Sequence, residues 1–205
     1  MENRVIYLVR HGKIHQEDEQ RRYIGQIDLP LTEEGIRQAQ NLQRRFESTD
    51  ISAVFCSDLR RSVDTAKIIA GSREIRVVVR QDLREVCMGE WEGCKFGEIA
   101  QRYPEEFRAR GADIANYRVP GGESFADCSS RVIAALESIL ASTAGNLVIV
   151  GHAGANRLLL CHVLGMPIAN VFRIGQDYGC LNIIQCGTSG YQAKLINGRG
   201  RTNRR

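Results

Sequence analysis

The sequence predicts an α/β fold, a three-layer α/β/α sandwich with a mostly parallel central sheet and a small helical cap insertion. Short apolar segments alternate along the chain with longer amphipathic ones, which is the order of strands and helices in a parallel sheet. Two of the apolar segments run directly into a histidine that has a glycine beside it. The 205 residues, 43% hydrophobic and 25% charged, suit one compact core.

The first predicted elements are a strand at residues 4–9 and a helix that begins after Thr32. The strand is a continuous run of mainly apolar and β-branched residues, typical of a strand buried on both faces. Threonine is a residue type that caps helix N-termini. Apolar residues then follow at three- and four-residue steps, at Ile36, Ala39, Leu42 and Phe46. This spacing predicts an amphipathic helix.

The same alternation continues along the rest of the chain. Further strands are predicted at residues 53–56, 76–79, 147–150, near Phe172, 181–185 and 192–196. Further helices are predicted at residues 59–70, 124–142 and 155–164. A strand, helix, strand order of this kind indicates parallel pairing.

One domain is predicted over residues 1–198, with an insertion at about 96–122. The insertion contains Tyr103-Pro104, several charged residues and a Pro-Gly-Gly turn at 120–122, so we interpret it as a cap of short helices and loop over one end of the sheet. Residues 199–205 are rich in arginine and are predicted to form a basic, disordered tail.

Composition excludes several classes of protein. The seven cysteines are scattered and odd in number, so we expect reduced, mostly buried thiols. We expect a cytoplasmic protein without membrane contact, because the first residues contain no cleavage signal and no segment is long enough to cross a bilayer. The net charge of +4 resides largely in the tail, which argues against a nucleic-acid-binding surface.

Two histidines are expected to meet at one edge of the sheet. His11 follows the first strand between Arg10 and Gly12, and His152 follows a later strand directly after Gly151. In an open parallel sheet, ligands bind outside the carboxyl ends of the strands. Either histidine alone could be an ordinary surface residue, but their matching contexts favour a shared site in which the glycines let a ligand approach the backbone.

Arginines near this edge indicate an anionic ligand. Arg10 adjoins His11, and the helix after the second strand has Arg60 and Arg61 in its first turn. A guanidinium is a planar fork that matches phosphate oxygens, and a helix N-terminus adds amide donors. A phosphate site is therefore expected, with one arginine of the Arg60–Arg61 pair facing solvent.

Six motifs carry a resemblance to a known family. They are LVRHG at 8–12, DLPLTEEG at 28–35, SDLRRSVDTA at 57–66, LRE at 83–85 with GEWEG at 89–93, PGGES at 120–124 and VGHAG at 150–154. With these motifs in this order, nearly the whole chain resembles the histidine phosphatase superfamily, in its phosphoglycerate-mutase-like branch. The resemblance implies a phosphatase that needs no metal and no cofactor.

The resemblance also implies a role for each catalytic residue. His11 would be the nucleophile that takes the phosphoryl group, because a neutral imidazole attacks phosphorus well near pH 7. Arg10, Arg61 and His152 would bind the phosphate as a clamp. Glu85 would protonate the leaving oxygen and then act as the base for the water that cleaves phosphohistidine.

On the substrate side, the resemblance implies contacts from Gln26 and Ala153 in addition to the clamp. Lys13 and Ile14 replace the residue types that usually follow the RHG triplet in the family. Lys13 is interpreted as an exposed loop lysine or as a contact to a second anionic group. These departures prevent the transfer of any one relative's substrate.

Three more residues have alternative interpretations. His15 lies four residues from His11, but on a loop that interval does not align two metal ligands, so no metal site is predicted. Glu17 and Glu123 are the next carboxylates to consider as the acid if Glu85 only positions the substrate.

The predicted function is hydrolysis of a small phosphate monoester, such as α-ribazole 5′-phosphate or a sugar or glycerate phosphate. The alternatives are a phosphoglycerate mutase and a catalytically silent phosphate-binding module. The short cap favours hydrolysis, because the family's mutases are longer. A nucleophile and an acid together favour an enzyme over a binding module. The only partner predicted is the small-molecule ester, and the oligomeric state stays open, with a homodimer among the options.

Overall fold

The computed structural model describes residues 3–16, 18, 20–188 and 190–199. The strands are β1 (Arg4–Arg10), β2 (Ala53–Cys56), β3 (Arg76–Val79), β4 (Leu147–Gly151), β5 (Leu181–Gly187) and β6 (Gly190–Gly198). The α-helices are α1 (Glu33–Arg45), α2 (Arg60–Ala70), α3 (Phe96–Arg102), α4 (Pro104–Ala112), α5 (Phe125–Ser142) and α6 (Ala153–Leu164). Short 3-10 helices occupy Gln81–Leu83, Gly89–Trp91 and Ile168–Arg173.

In the described part of the chain, six strands form one sheet in the order β3-β2-β4-β1-β5-β6. The pairs β3–β2, β2–β4 and β4–β1 are parallel, whereas β1–β5 and β5–β6 are antiparallel. The prediction of a mostly parallel sheet is confirmed.

The two faces of the sheet are covered by different helices. Because successive side chains of a strand point to opposite faces, Leu147 and Ile149 of β4 pack in the core with α5 and α6. Val148 and Val150 of the same strand pack in the core with α1 and α2. These two helical layers around one sheet confirm the predicted α/β/α sandwich.

Helix α1 begins where it was predicted, but one of its side chains is exposed where burial was predicted. Thr32 is the N-cap, and its Oγ1 accepts a hydrogen bond from the Gly35 amide at 3.1 Å. The buried stripe of α1 contains Gly35, Ala39 and Leu42. Ile36 is 40% exposed, so its predicted place on the buried face is wrong. One residue of helix rotates a side chain by about 100°, and Gly35 holds the buried position instead.

A second expectation is also wrong. The segment around Phe172 is the 3-10 helix Ile168–Arg173 rather than a strand. It begins directly after Pro167, whose fixed φ suits a helical first turn. The Phe172 ring is exposed and makes an edge contact with Phe125, with 5.6 Å between the ring centroids.

The predicted insertion at 96–122 contains α3, α4 and a loop, and its function as a cap stays a prediction. Of the predicted tail, Arg199 makes an ion pair with Asp177 at 2.8 Å, while residues 200–205 lie outside the described residues, as does Glu17. All seven cysteines are free thiols and five of them are buried, as expected. No helix within the described ranges is long and apolar enough to span a bilayer.

Candidate active site

The strand register brings the two histidines together. β1 and β4 are parallel neighbours, and Arg10 pairs with Gly151 at the carboxyl end of the ladder. The residue that directly follows each strand is a histidine, and the ring centroids of His11 and His152 are 5.1 Å apart. The His11 amide also donates to the Gly151 carbonyl at 3.1 Å, which fixes the two chain ends to each other.

The His11 ring is held in one tautomer. Its Nδ1 lies 2.8 Å from the Gly12 carbonyl oxygen. Because a carbonyl can only accept, Nδ1 carries the proton and Nε2 keeps its lone pair. Burial, together with the charges of Arg10 and Arg61, lowers the pKa of His11 well below its usual value of about 6.5. At neutral pH the ring is therefore an uncharged potential nucleophile.

The loop that follows His11 is fixed by close packing on two sides. The Gly12 amide donates to Thr65 Oγ1 of α2 at 3.2 Å. A Cβ on Gly12 would lie 2.3 Å from the Gly35 carbonyl oxygen, so a larger residue would push the first turn of α1 away. The backbone that positions His11 thus depends on its packing against α1 and α2.

His152 is buried behind Arg61. Its Nε2 lies 2.7 Å from Ser57 Oγ, and its Nδ1 accepts from Arg61 Nε at 3.3 Å. Burial lowers the pKa of His152 well below its usual value, and Arg61 and His11 add to this effect. Both ring nitrogens are thus engaged by protein groups. Ser57 belongs to the motif at residues 57–66, but its contact with His152 was not predicted from the sequence.

The structure distinguishes the two adjacent arginines. The Arg61 side chain is 1% exposed, lines the cavity, and donates to the Gly25 and Ile27 carbonyls at 2.7 and 2.5 Å. The Arg60 side chain is 64% exposed and lies 3.5 Å from Asp64. As expected from the sequence, one arginine of the pair, Arg61, faces the cavity, and the other, Arg60, faces solvent.

Arg10 is stacked on an aromatic ring beside His11. Its guanidinium carbon lies 3.7 Å from the centroid of the Tyr178 ring, and Nη1 donates to the Gln176 carbonyl at 2.6 Å. Its Nε is buried and has no partner within the described residues. Tyr178 was not predicted, because it lies on a loop before β5 that matches none of the motifs.

Glu85 lies at the N-terminus of α6. One carboxyl oxygen accepts from the Gly154 amide at 2.9 Å, and the other accepts from the amides of Ala155 at 3.0 Å and Val86 at 2.9 Å. A Cβ on Gly154 would lie 2.5 Å from Glu85 Oε1, so a larger residue there would displace the Glu85 carboxyl group. Three amides therefore fix the carboxyl group at the wall of the cavity that also contains His11.

Gln26 supports Glu85 from behind. Its Nε2 donates to the Glu85 carbonyl at 2.9 Å, and its Oε1 accepts from Arg84 at 3.3 Å. Gln26 is not in the cavity lining, so the structure places it in a supporting position instead of the predicted contact with substrate. Ala153 does line the cavity, in agreement with its predicted location.

Three other candidates lie away from the reacting centre. Glu123 makes an ion pair with Arg131 at 2.7 Å, and its carboxylate also accepts a hydrogen bond from the Cys87 amide. Its carboxylate therefore has a structural role. Lys13 makes an ion pair with Glu34 at 2.7 Å and does not line the cavity. His15 is exposed, and no group of three metal-ligating side chains occurs among residues 3–16, 18, 20–188 and 190–199.

The cavity in front of His11 has a volume of about 480 Å³. Besides Arg10 and Arg61 it is lined by three further arginines, Arg21, Arg22 and Arg157. Glu85 is the one carboxylate among its described lining residues. A cationic cavity with a neutral imidazole and a fixed carboxyl group can bind a phosphate ester and can supply both a nucleophile and a proton donor.

The buried histidines predict a pH-dependent stability. His11 and His152 stay neutral in the folded protein but titrate near pH 6.5 when unfolded, so the unfolded chain binds more protons below that pH. The free energy of unfolding is expected to fall with decreasing pH, by up to about 1.4 kcal/mol per pH unit for each histidine. Urea unfolding of the wild type, His11→Asn and the exposed-site control His15→Asn between pH 7 and about pH 5 measures these slopes. A His11→Asn slope equal to that of the wild type would contradict a neutral, buried His11.

Comparison with known proteins points to one family. The family model of the histidine phosphatase superfamily (branch 1) matches residues 6–199. The adenosylcobalamin/alpha-ribazole phosphatase of Escherichia coli (strain K12) is 30% identical over 197 residues, which cover 95% of this chain and 96% of that protein. A protein of Yersinia pestis (strain Pestoides F), named a probable phosphoglycerate mutase, is 39% identical over 166 residues, covering 79% and 75%. The solved mycobacterial glucosyl-3-phosphoglycerate phosphatase superposes with a TM-score of 0.84 at 25% identity, covering 96% of this chain and 99% of that one.

Proposed function

Because the chain belongs to the histidine phosphatase superfamily and is a phosphatase, we propose that it hydrolyses a small phosphate monoester through a phosphohistidine on His11. One observation carries the proposal. His11 is buried next to Arg10 and Arg61, with Nδ1 directed to a carbonyl, which leaves the Nε2 lone pair for the cavity. The same nitrogen would be useless as a nucleophile if the ring were protonated.

In the first proposed step, Nε2 of His11 attacks phosphorus as the bond to the leaving oxygen breaks. Arg10 and Arg61 hold the non-bridging oxygens and stabilise the charge of the transferring phosphoryl group. His152 completes the clamp by orienting Arg61 through the contact between its Nδ1 and Arg61 Nε. Glu85 gives its proton to the leaving oxygen, so the substrate departs as a neutral alcohol.

In the second step, water attacks the phosphorus of phosphohistidine and displaces the imidazole. Glu85, now a carboxylate, takes the proton of that water, and the products are inorganic phosphate and neutral His11. The amide contacts are compatible with both tasks. Oε2 of Glu85 accepts from one amide, that of Gly154, which leaves it a further lone pair that can carry a proton.

As substrates we propose α-ribazole 5′-phosphate or a sugar or glycerate phosphate. The names of two similar proteins, adenosylcobalamin/alpha-ribazole phosphatase and glucosyl-3-phosphoglycerate phosphatase, support this range. The similarity to a protein named a probable phosphoglycerate mutase makes phosphoryl transfer to a second substrate the alternative. In the mutase case the phosphohistidine would pass its phosphoryl group to another hydroxyl instead of to water.

An assay of the purified protein with a panel of phosphate monoesters tests this function. We expect release of inorganic phosphate in the presence of EDTA and inhibition by vanadate, because the proposed chemistry uses no metal. Inclusion of 3-phosphoglycerate as an acceptor separates hydrolysis from transfer, since a mutase would form a new ester. Loss of activity with EDTA that a divalent ion restores would contradict the phosphohistidine route.

Arg61 and Arg60 provide a matched pair of variants. Arg61→Ala is expected to lower kcat/KM by about 100- to 1,000-fold, because it removes a preorganised donor to the transferring phosphoryl group. Arg60→Ala should change kcat/KM by less than about tenfold, because its side chain is exposed. Steady-state kinetics with one ester measures both. Equal or reversed effects would show that Arg61 is not the cavity arginine in solution.

A further inference from the structure

A second cavity adjoins the proposed phosphate site. It has a volume of about 570 Å³ and shares eight of its described lining residues with the first cavity, among them Arg22, Glu85 and Arg157. Its walls include three phenylalanines, Phe125, Phe172 and Phe96, of which Phe96 also lines the first cavity. We call it the aromatic chamber. Because it meets the first cavity at Glu85, it lies where the alcohol part of a bound ester would extend.

Arg110 of α4 lines this chamber and has no counter-ion among the described residues. Its guanidinium carbon lies 5.5 Å from the ring centroids of both Tyr23 and Phe125. The side chain is half-buried, and burial lowers the pKa of Arg110, while the nearby Tyr23 and Tyr117 oppose that change. A partly desolvated cation between aromatic faces is stabilised when an anion pairs with it.

Arg157 adds a second cation at the junction of the two cavities. Its Nε donates to the Ile174 carbonyl at 2.8 Å, and its guanidinium carbon lies 5.8 Å from the Phe172 ring centroid. Glu85 is the one carboxylate among the described residues of the chamber wall, and three backbone amides already engage it. The chamber thus combines aromatic surface with the cation of Arg110, which pairs with no carboxylate among the described residues.

We propose that the aromatic chamber binds the alcohol part of the substrate, and that this part has an apolar body carrying a carboxylate that pairs with Arg110. The inference rests on the proposed phosphatase function and narrows its substrate class. A carboxylate is planar, so it can accept two parallel hydrogen bonds from the Arg110 guanidinium. The phenylalanine rings cover the apolar body, and the phosphate lies at His11.

The test compares two esters of nearly the same shape, 4-carboxybenzyl phosphate with a charged carboxylate and 4-carbamoylbenzyl phosphate with a neutral amide. The methylene group keeps the leaving oxygens similar, so the ratio of their kcat/KM values reports recognition of the carboxylate. We expect the wild type to prefer the carboxylate ester by roughly ten- to a hundredfold, the effect of a charge-assisted hydrogen bond. Arg110→Met should bring the ratio of the two kcat/KM values close to one, because kcat/KM falls much further for the carboxylate ester than for the neutral ester.

Arg108→Met is the matched control, because Arg108 lies on the same helix but is exposed, and its Nε donates to the Pro104 carbonyl in its own helix. It should keep the preference, and Arg110→Lys should keep part of it, which separates loss of charge from loss of folding. A wild type without the preference, an Arg110→Met variant that retains it, or equal losses on both esters would overturn the inference. His11→Ala tests the underlying function separately. If that variant hydrolysed both esters at the wild-type rate, the phosphatase mechanism itself would be wrong.

Discussion

Replacement of His11 by alanine is expected to lower kcat/KM for every phosphate ester by at least about 1,000-fold. The variant keeps Arg10 and Arg61, so it should still bind phosphate, but it has no atom that can accept the phosphoryl group. The His11 ring is uncharged and has a fixed tautomer, so nucleophilic attack is the role its environment favours. Steady-state kinetics, with inorganic phosphate as a competitive inhibitor, measures catalysis and binding on the same samples.

The exposed His15 is the control for this variant. His15→Ala should stay within about twofold of the wild type, because its ring does not line the cavity. If His11→Ala kept more than about 1% of the activity, His11 would not be the nucleophile. Thermal unfolding of both variants shows whether the loss of activity comes from the chemistry or from a loss of folded protein.

Glu85→Gln is expected to produce a defect whose size depends on the leaving group. An alkoxide from a sugar phosphate leaves poorly without a proton, so the phosphorylation step should slow by about 1,000-fold or more. The phenolate of p-nitrophenyl phosphate leaves unaided, so the same variant should form phosphohistidine at a nearly normal rate. Hydrolysis of phosphohistidine still needs a base, so a burst of p-nitrophenol followed by slow turnover should appear.

Stopped-flow measurement of the burst, together with single-turnover assays on a sugar phosphate, tests this dependence. Glu90→Gln is the control, because Glu90 is an exposed carboxylate of the same segment and should leave both rates unchanged. An equal loss of the phosphorylation rate on both esters would mean that Glu85 only positions the substrate. The acid would then have to come from another group, and Glu123 is a poor substitute because its carboxylate is paired with Arg131.

The fold and the centre of the site could be predicted because their signals are local. β1 and β4 are recognisable as continuous apolar runs, and each runs into its histidine, so the rule for carboxyl ends of parallel strands was enough to place His11 and His152 at one edge. The exact adjacency was not in the sequence. It follows from the pairing of Arg10 with Gly151, between strands that are far apart in the chain.

The missed features depend on long-range packing. Tyr178, Arg157 and Arg110 reach the cavities from a loop, from α6 and from α4, and none of them belongs to a motif. Gln26 is beside a motif, yet its side chain is directed to the Glu85 carbonyl by the path of the chain. Ile36 shows the same limit on a smaller scale, because a shift of one helical residue decides which side chain is buried.

The most direct measurement of the central claim is rapid quench of the enzyme with a ³²P-labelled ester. We predict a labelled chain whose phosphate is stable in base and lost in acid, as a phosphohistidine is, and which maps to the peptide that contains His11. The label should be absent from His11→Ala and should accumulate in Glu85→Gln with p-nitrophenyl phosphate. An acid-stable label, a label on another residue, or turnover of the wild type with no label at any time point would contradict the account.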